Sequence, residues 1–145
     1  MTESSENAWT WVSSLETVDE YLPDRTHHFY TSPENTPNSN IICVRAIIPP
    51  GSSHKFHSHP NMEEIIYIIH GTCEQWVEQD MQMLLEGDTV HIPAGTVHGS
   101  YNIGDDDLVL LAILTPADAE GPQTVDHYTE EPYASLPAGE SSAMF

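Results

Sequence analysis

Between Asn40 and Pro116 the chain is built from short apolar runs set apart by turn signals. The runs are "IICVRAII" (41–48), "HKFHSH" (54–59), "EIIYIIHG" (64–71), "TCEQWVEQ" (72–79), "TVHIP" (89–93), "HGSYNI" (98–103) and "LVLLAILTP" (108–116), with breakers such as "PPGSS", "EGD", "PAGT" and "GDDD" between them. Short, closely punctuated runs of this kind predict strands of an antiparallel sandwich or barrel. The two ends read differently. Residues 1–38 are polar and rich in Pro and Asn, with an apolar patch at Trp9 and Trp11. Within them "SLETVDEYL" (14–22), opened by Ser14 with Glu16 and Asp19 behind it, predicts a short helix. Residues 117–145 return to Pro, Gly and acid and predict an irregular tail laid over the barrel through Tyr128 and Tyr133. The expected organisation is an all-β fold. A single barrel covers 39–116, an N-terminal extension over 1–38 packs on the barrel or on a partner subunit, and an acidic C-terminal tail covers 117–145.

Charge narrows the partners. The 145 residues hold 23 acids against three bases, Arg25, Arg45 and Lys55, for a formal net charge of −20. Such a surface repels phosphates, which argues against nucleic acid and anionic membranes as partners. Three Trp, six Tyr and the aliphatic runs set the chain apart from acidic disordered sequences. Self-repulsion of this size is tolerated where salt screens it, since at about 1 M the Debye length falls to about 3 Å. The expectation is a halophilic, cytoplasmic protein. Cys43 and Cys73 lie in separate predicted strands with no CxxC pair, as expected of two buried thiols in a reducing compartment. "MTESSENAWTWVSSL" lacks a basic region followed by an apolar run, so no signal peptide is expected, and no apolar stretch approaches the ~20 residues of a membrane span.

Strand parity sorts the histidines. In "HSHPNMEEIIYIIHG" (57–71), His57 and His59 sit two apart and share a strand face about 6.6 Å from each other, with Phe56 and Ser58 on the other side. Glu64 opens the next strand across a turn containing Pro60 and Asn61, within reach of the same point. Two imidazoles and a carboxylate suit a divalent transition metal. His70 shares Glu64's parity but lies about 20 Å further along the strand. His91 alternates against Val90 and Ile92 and faces out, while His27, His28 and His127 fall in polar segments and are expected in solvent. His98 follows the tight turn "PAGTV" and opens a strand with inward set His98, Ser100 and Asn102, which makes it the candidate fourth ligand.

These residues resemble the cupin family. Its first motif is matched by Gly51, His57-Ser58-His59, Glu64 and Gly71, and its second by Gly87, Pro93-Ala94-Gly95, His98 and Asn102, with 15 residues between the two. The resemblance covers about residues 40–116 and implies a small antiparallel jelly-roll β-barrel. It also implies one divalent transition metal (iron, manganese, nickel, copper or zinc) held by His57, His59, Glu64 and His98. Glu63 has the opposite parity, shared with Ile65 and Tyr67, and is the weaker choice of acid.

Four protein ligands leave room for a substrate, and the metal would act as a Lewis acid or oxygen-activating centre. The expected function is a metal-dependent enzyme on a small oxygenated or carboxylate substrate, a dioxygenase ahead of a lyase or isomerase. The alternative is a non-catalytic cupin that binds a metal or small ligand. Besides Glu64, the expected catalytic side chains are Lys55, which by parity joins the metal face to pair with an anionic group, and Gln75, turned inward with Cys73 and Val77 while Glu74 and Glu78 face solvent. Arg45 groups with Ile41, Cys43 and Ile47, on the cavity or on an outer face. Homodimerisation is expected, with Trp9, Trp11 and Trp76 supplying apolar surface.

Overall fold

A computed structural model of the chain describes residues 8–37 and 39–140. The strands are β1 (Val18–Leu22), β2 (Arg25–Thr31), β3 (Ile42–Ile48), β4 (Ser53–Ser58), β5 (Glu63–His70), β6 (Cys73–Val77), β7 (Asp80–Leu84), β8 (Thr89–Ile92), β9 (His98–Asn102), β10 (Leu108–Thr115) and β11 (Val125–Asp126). They form two antiparallel sheets in a jelly roll, one ordered β1-β2-β3-β10-β5-β8 and the other β11-β4-β9-β6-β7. Among the described residues no helix is long and apolar enough to cross a membrane.

Alternation builds the first sheet. β3 and β10 alternate buried and half-buried residues along their whole length. Ile42, Val44, Ala46 and Ile48 therefore face inward beside Leu108, Leu110, Ala112 and Leu114, and β5 adds Ile66 and Ile68. Each fully buried aliphatic side chain contributes about 1.5–3 kcal/mol, so this face is the main source of stability. Gly71 ends β5 with φ +87°, and a Cβ there would lie 2.8 Å from the Asp107 carbonyl oxygen, so the turn admits only glycine.

The second sheet is covered on its outside as well. Phe56, Trp76, Val97 and Tyr101 cluster there, and Tyr133, Leu136 and Ala138 of the C-terminal segment pack over them. Trp76 thus meets the chain's own tail. Glu74, expected in solvent, is fully buried, its Oε1 accepting hydrogen bonds from Trp76 Nε1 (2.7 Å) and Gly139 N (2.6 Å). Parity assigned Glu74 to the outer face; what it does not reveal is that the tail covers that face. The Tyr133 hydroxyl donates to Glu78 Oε2 beside it. Asn102 is buried where β9 ends, donating through Nδ2 to the carbonyls of Ile48 and Asp106, both at 2.8 Å.

The N-terminal segment departs from expectation. Residues 18–22 are a strand, preceded by a turn in which Glu16 N donates to Ser13 O (3.0 Å). β1 pairs with β2 from Val18↔Phe29 to Leu22↔Arg25 across a turn at Pro23–Asp24, and β2 pairs with β3. Period-2 contacts explain the choice of strand. Asp19 and Tyr21 face one way onto His28, while Val18, Glu20 and Leu22 face the other, toward the sheet's inner side. His27, His28 and His127 are accordingly half-buried and paired rather than free in solvent. His27 Nδ1 meets Glu20 at 2.8 Å, His28 Nδ1 meets Asp19 at 2.8 Å, and His127 Nε2 meets Ser58 Oγ at 2.9 Å. Cys73 is buried, but Cys43 is only half-buried on the outer face of β3; both thiols are free.

Candidate metal centre

Four side chains converge inside the barrel. His57 is the last residue but one of β4 (Ser53–Ser58), His59 follows the strand, Glu64 lies at the start of β5 and His98 opens β9, so the ends of three strands from the two sheets deliver them to one place. One ligand atom from each lies within 4.8 Å of all the others, and all four residues are buried. Among the described residues no other group of three or more such side chains converges in this way. Glu63, one residue from Glu64, faces outward against His91 Nε2 at 2.8 Å.

Hydrogen bonds fix the direction of each ring. His57 Nδ1 donates to Lys55 O (2.6 Å), His98 Nδ1 to Thr96 O (2.9 Å) and His59 Nδ1 to Gln123 O (2.8 Å). A carbonyl oxygen only accepts, so each ring carries its proton on Nδ1 and leaves the Nε2 lone pair free. Glu64 Oε1 lies 2.8 Å from His98 Nε2 and 3.3 Å from His59 Nε2. Yet Glu64 Oε1 and His98 Nε2 are both buried without a hydrogen-bond partner of acceptable geometry. Rings in this tautomer have nothing to donate to the carboxylate. Either a second proton on an imidazole or a cation among these atoms turns the arrangement favourable. Borderline nitrogen donors with one anionic oxygen fit a divalent transition metal.

The electrostatics agree with a site built for positive charge. Burial alone would raise the pKa of Glu64, but His59 and His98 facing it hold the carboxyl well below the usual carboxylate range. Burial, with His98 and His59 alongside, pushes His57 far down, so it stays neutral and able to ligate. For His59 burial acts downward too, but Glu64 outweighs it and the net shift is upward.

A β-bulge decides what else reaches the site. Ser53 and His54 pair with Tyr101 and Ser100, but His57 pairs with His98, so β4 carries one extra residue there. The extra residue reverses parity. His54 therefore stacks face to face on His57, with centroids 3.6 Å apart and planes 6° apart. Lys55, expected on the metal face, is turned out and exposed, with Nζ 5.0 Å from the Tyr128 ring centroid. Gln75 is buried behind the wall, its Oε1 accepting from Ser100 Oγ at 2.6 Å and its Nε2 donating to Trp76 O at 3.1 Å. It supports Ser100, which does line the cavity. Arg45 lies on the outer face, donating to the Tyr30 hydroxyl at 2.8 Å.

Three of the four candidate ligands, His57, His59 and Glu64, line a cavity of about 340 Å³, and His98 sits against them. The cavity floor is the apolar inner face of the first sheet, and its mouth is framed by Glu20, Arg25 and His27 from the β1–β2 hairpin and by Gln123 and Thr124 from the C-terminal segment. From the sequence His54 and Arg25 receive no site role, and His27, expected in solvent, lines the cavity instead. A bulge leaves no periodicity signal, and "RTHHFYT" (25–31) alternates too weakly to show a strand; the turn signal "PD" before it was the available clue.

Residues 44–114 match the family described as the cupin domain. Among curated proteins, the chain is 37% identical over 73 residues to an uncharacterised protein of Methanocaldococcus jannaschii, covering 50% of this chain and 58% of that one. It is 28% identical over 117 residues to quercetin 2,3-dioxygenase of Bacillus subtilis strain 168, covering 80% of this chain and 34% of the enzyme. The chain thus spans less than two thirds of the length of either relative. Among solved structures, a predicted oxalate decarboxylase of Thermotoga maritima superposes with a TM-score of 0.66 at 26% identity, covering 74% of this chain and 99% of that one.

Proposed function

We propose that this chain, which belongs to the cupin family, is a metal-dependent enzyme acting on a small oxygen-bearing substrate inside its barrel. The observation that carries the reading is the convergence of three imidazoles, each with Nδ1 tied to a backbone carbonyl, on one buried carboxylate. His57, His59 and His98 through Nε2, and Glu64 through its carboxylate, would hold the ion. When bound, a divalent transition metal supplies Lewis-acid polarisation of a substrate oxygen and, if redox-active, access to dioxygen. The chain supplies the rest. The carbonyls of Lys55, Thr96 and Gln123 hold the rings in register, the aliphatic floor excludes water, and Ser100 and His54 offer polar contacts beside the ligands. Dioxygenase chemistry is favoured over lyase or isomerase chemistry, because the similarity to quercetin 2,3-dioxygenase runs over 80% of this chain and the donor set suits a redox-active metal.

The same reading extends to assembly and setting. The outer face of β3, β10 and β5 carries Cys43, Arg45, Ile47, Val109, Leu111, Ile113, Ile65, Tyr67 and Ile69, an apolar patch whose one acid, Glu63, lies at its end and is engaged by His91. A flat apolar face of this kind is self-complementary across a two-fold axis, and a homodimer is proposed to form there. The free thiols and the charge of −20 support a reducing, salt-rich cell interior as the site of action.

The test is metal content by plasma mass spectrometry of protein purified in molar salt without a nickel column, with His59→Ala alongside. Near-stoichiometric transition metal in the wild type, lost in the variant, is the expected result, and oxygen consumption would then be assayed. Protein that carries no metal and takes none up on reconstitution would refute the proposal.

A further inference from the structure

We propose that the outer half of the cavity is a carboxylate-binding subsite centred on Arg25, which makes the ligand a small organic acid with an apolar body. The inference rests on the reading of this cavity as a substrate site, and it names the substrate class. It begins from scarcity. The chain has three cationic side chains. Arg45 is held outside by Tyr30, and Lys55 lies over Tyr128 on the outer surface. Arg25 alone lines the cavity.

Its surroundings prepare it for an anion. Arg25 Nε donates to His27 Nε2 at 3.1 Å, and Nη1 donates to Asp24 Oδ1 at 2.9 Å. These two bonds set the plane of the guanidinium, whose side chain is only 16% exposed, and no described residue accepts from Nη2. His27, accepting at Nε2, carries its proton on Nδ1 and gives it to Glu20 Oε1 at 2.8 Å. The two carboxylates at the mouth are thereby engaged, Glu20 by His27 and Asp24 by Arg25 itself. A guanidinium held in a sheltered site with Nη2 unpaired donates to a carboxylate through short, charge-assisted bonds.

Two further features define the ligand. His54 lies between His27 and His57, with centroids 5.7 Å from the first and 3.6 Å from the second, and neither of its ring nitrogens bonds to a described residue. It offers the next polar contact inward from Arg25. The facing wall, including Val44, Ala46, Leu110 and Ala112, is apolar and suits hydrocarbon in the middle of the ligand. Along the cavity the order is therefore Arg25, the imidazoles of His27 and His54, then the candidate metal ligands, with the apolar face of the first sheet alongside.

Isothermal titration calorimetry with benzoate and benzamide tests this, since the two probes share a shape and differ in charge. The full chain is used in molar salt, with metal content measured in each sample, for the wild type, Arg25→Gln, Arg25→Lys and Lys55→Gln. Benzoate is expected to bind at least tenfold tighter than benzamide in the wild type and in Lys55→Gln. Arg25→Gln should erase that preference by weakening benzoate far more than benzamide, and Arg25→Lys, which keeps the charge but loses the planar guanidinium, should retain a preference reduced several-fold. Thermal melting identifies the folded variants. An undiminished preference in a folded Arg25 variant, equal binding of both probes by the wild type, or no binding of either overturns the proposal. A metal-free wild type whose benzoate preference still depends on Arg25 would uphold the subsite and refute only the metal-dependent reading.

Discussion

Replacing Glu64 by Gln separates a metal ligand from a structural ion pair, because the two roles predict opposite effects without metal. Glu64 Oε1 faces His98 Nε2 at 2.8 Å and His59 Nε2 at 3.3 Å, and both rings already donate Nδ1–H to carbonyls. At pH 8.5 in EDTA, a carboxylate there confronts two lone pairs, whereas the amide of Glu64→Gln can donate to one of them. The variant gains a neutral hydrogen bond worth about 1 kcal/mol and loses a buried charge. At about 2–4 °C per kcal/mol for a domain of this size, that bond alone should raise the melting temperature by roughly 2–4 °C. Metal reverses the order. At about 100 times its Kd, a divalent ion adds about 2.7 kcal/mol to the wild type, roughly 5–11 °C. Loss of the anionic donor should weaken binding at least about 100-fold, so the same concentration adds only about 0.4 kcal/mol to the variant. Scanning calorimetry in EDTA and in excess Mn²⁺ reads both numbers. A variant that melts several degrees below the wild type in EDTA would show that Glu64 pairs with a protonated imidazole. An undiminished metal shift would remove it from the ligand set.

Three other perturbations probe neighbouring features. Metal affinity should fall as pH drops through the raised pKa of His59, because protons then compete for Nε2 while Glu64, its pKa depressed, stays ionised; the His59–Glu64 pair stabilises metal-free protein below the ordinary histidine value of about 6.5 and fades as pH rises through the raised one, so titrations with Mn²⁺ at pH 6, 7 and 8 that give one Kd would contradict the assignment. Asn102→Ala strips the buried carbonyl of Ile48 and the part-buried one of Asp106 of their donor and should cost about 1–3 kcal/mol, read as a lower urea midpoint with unchanged metal content in the folded fraction. Leu111→Glu, at the centre of the apolar outer face, should convert a dimer to a monomer in sedimentation velocity while the metal stoichiometry holds; a wild type already monomeric at high concentration would refute the dimer.

How much of this was legible in the residues depends on what each signal encodes. Strand periodicity encodes face, and on the regular β5 it placed Glu64 inward and Glu63, Ile65 and Tyr67 outward, whereas on β3 it grouped Arg45 with Cys43 and Ile47 without choosing between cavity and outer face. It also brought His57, His59, Glu64 and His98 together, since each lies at a strand end near a turn whose residues are recognisable. Periodicity fails at one inserted residue. The bulge in β4 exchanged Lys55 for His54, and no composition rule marks such a bulge. It fails again for cover. Glu74 reads as exposed on parity grounds, and its burial depends on a tail more than 50 residues downstream.

The two ends of the chain show why cover matters to the site. The carbonyl that orients His59 belongs to Gln123, outside the stretch that carries the cupin motifs, and the cation of the cavity belongs to Arg25, on the opposite side of that stretch. The central barrel thus supplies the metal-ligand side chains, while the extensions supply one ring's orientation and the polar rim. Residues that hold a metal can be shared widely across a fold, because the ion asks only for donors at fixed distances. Residues that choose a substrate must vary, and segments hung on a barrel's mouth can vary without disturbing the inner faces of its sheets. In this chain the hairpin β1–β2 and residues 123–124 occupy that position, so exchanging them between cupin-domain proteins should transfer ligand preference while leaving the four candidate metal ligands in place.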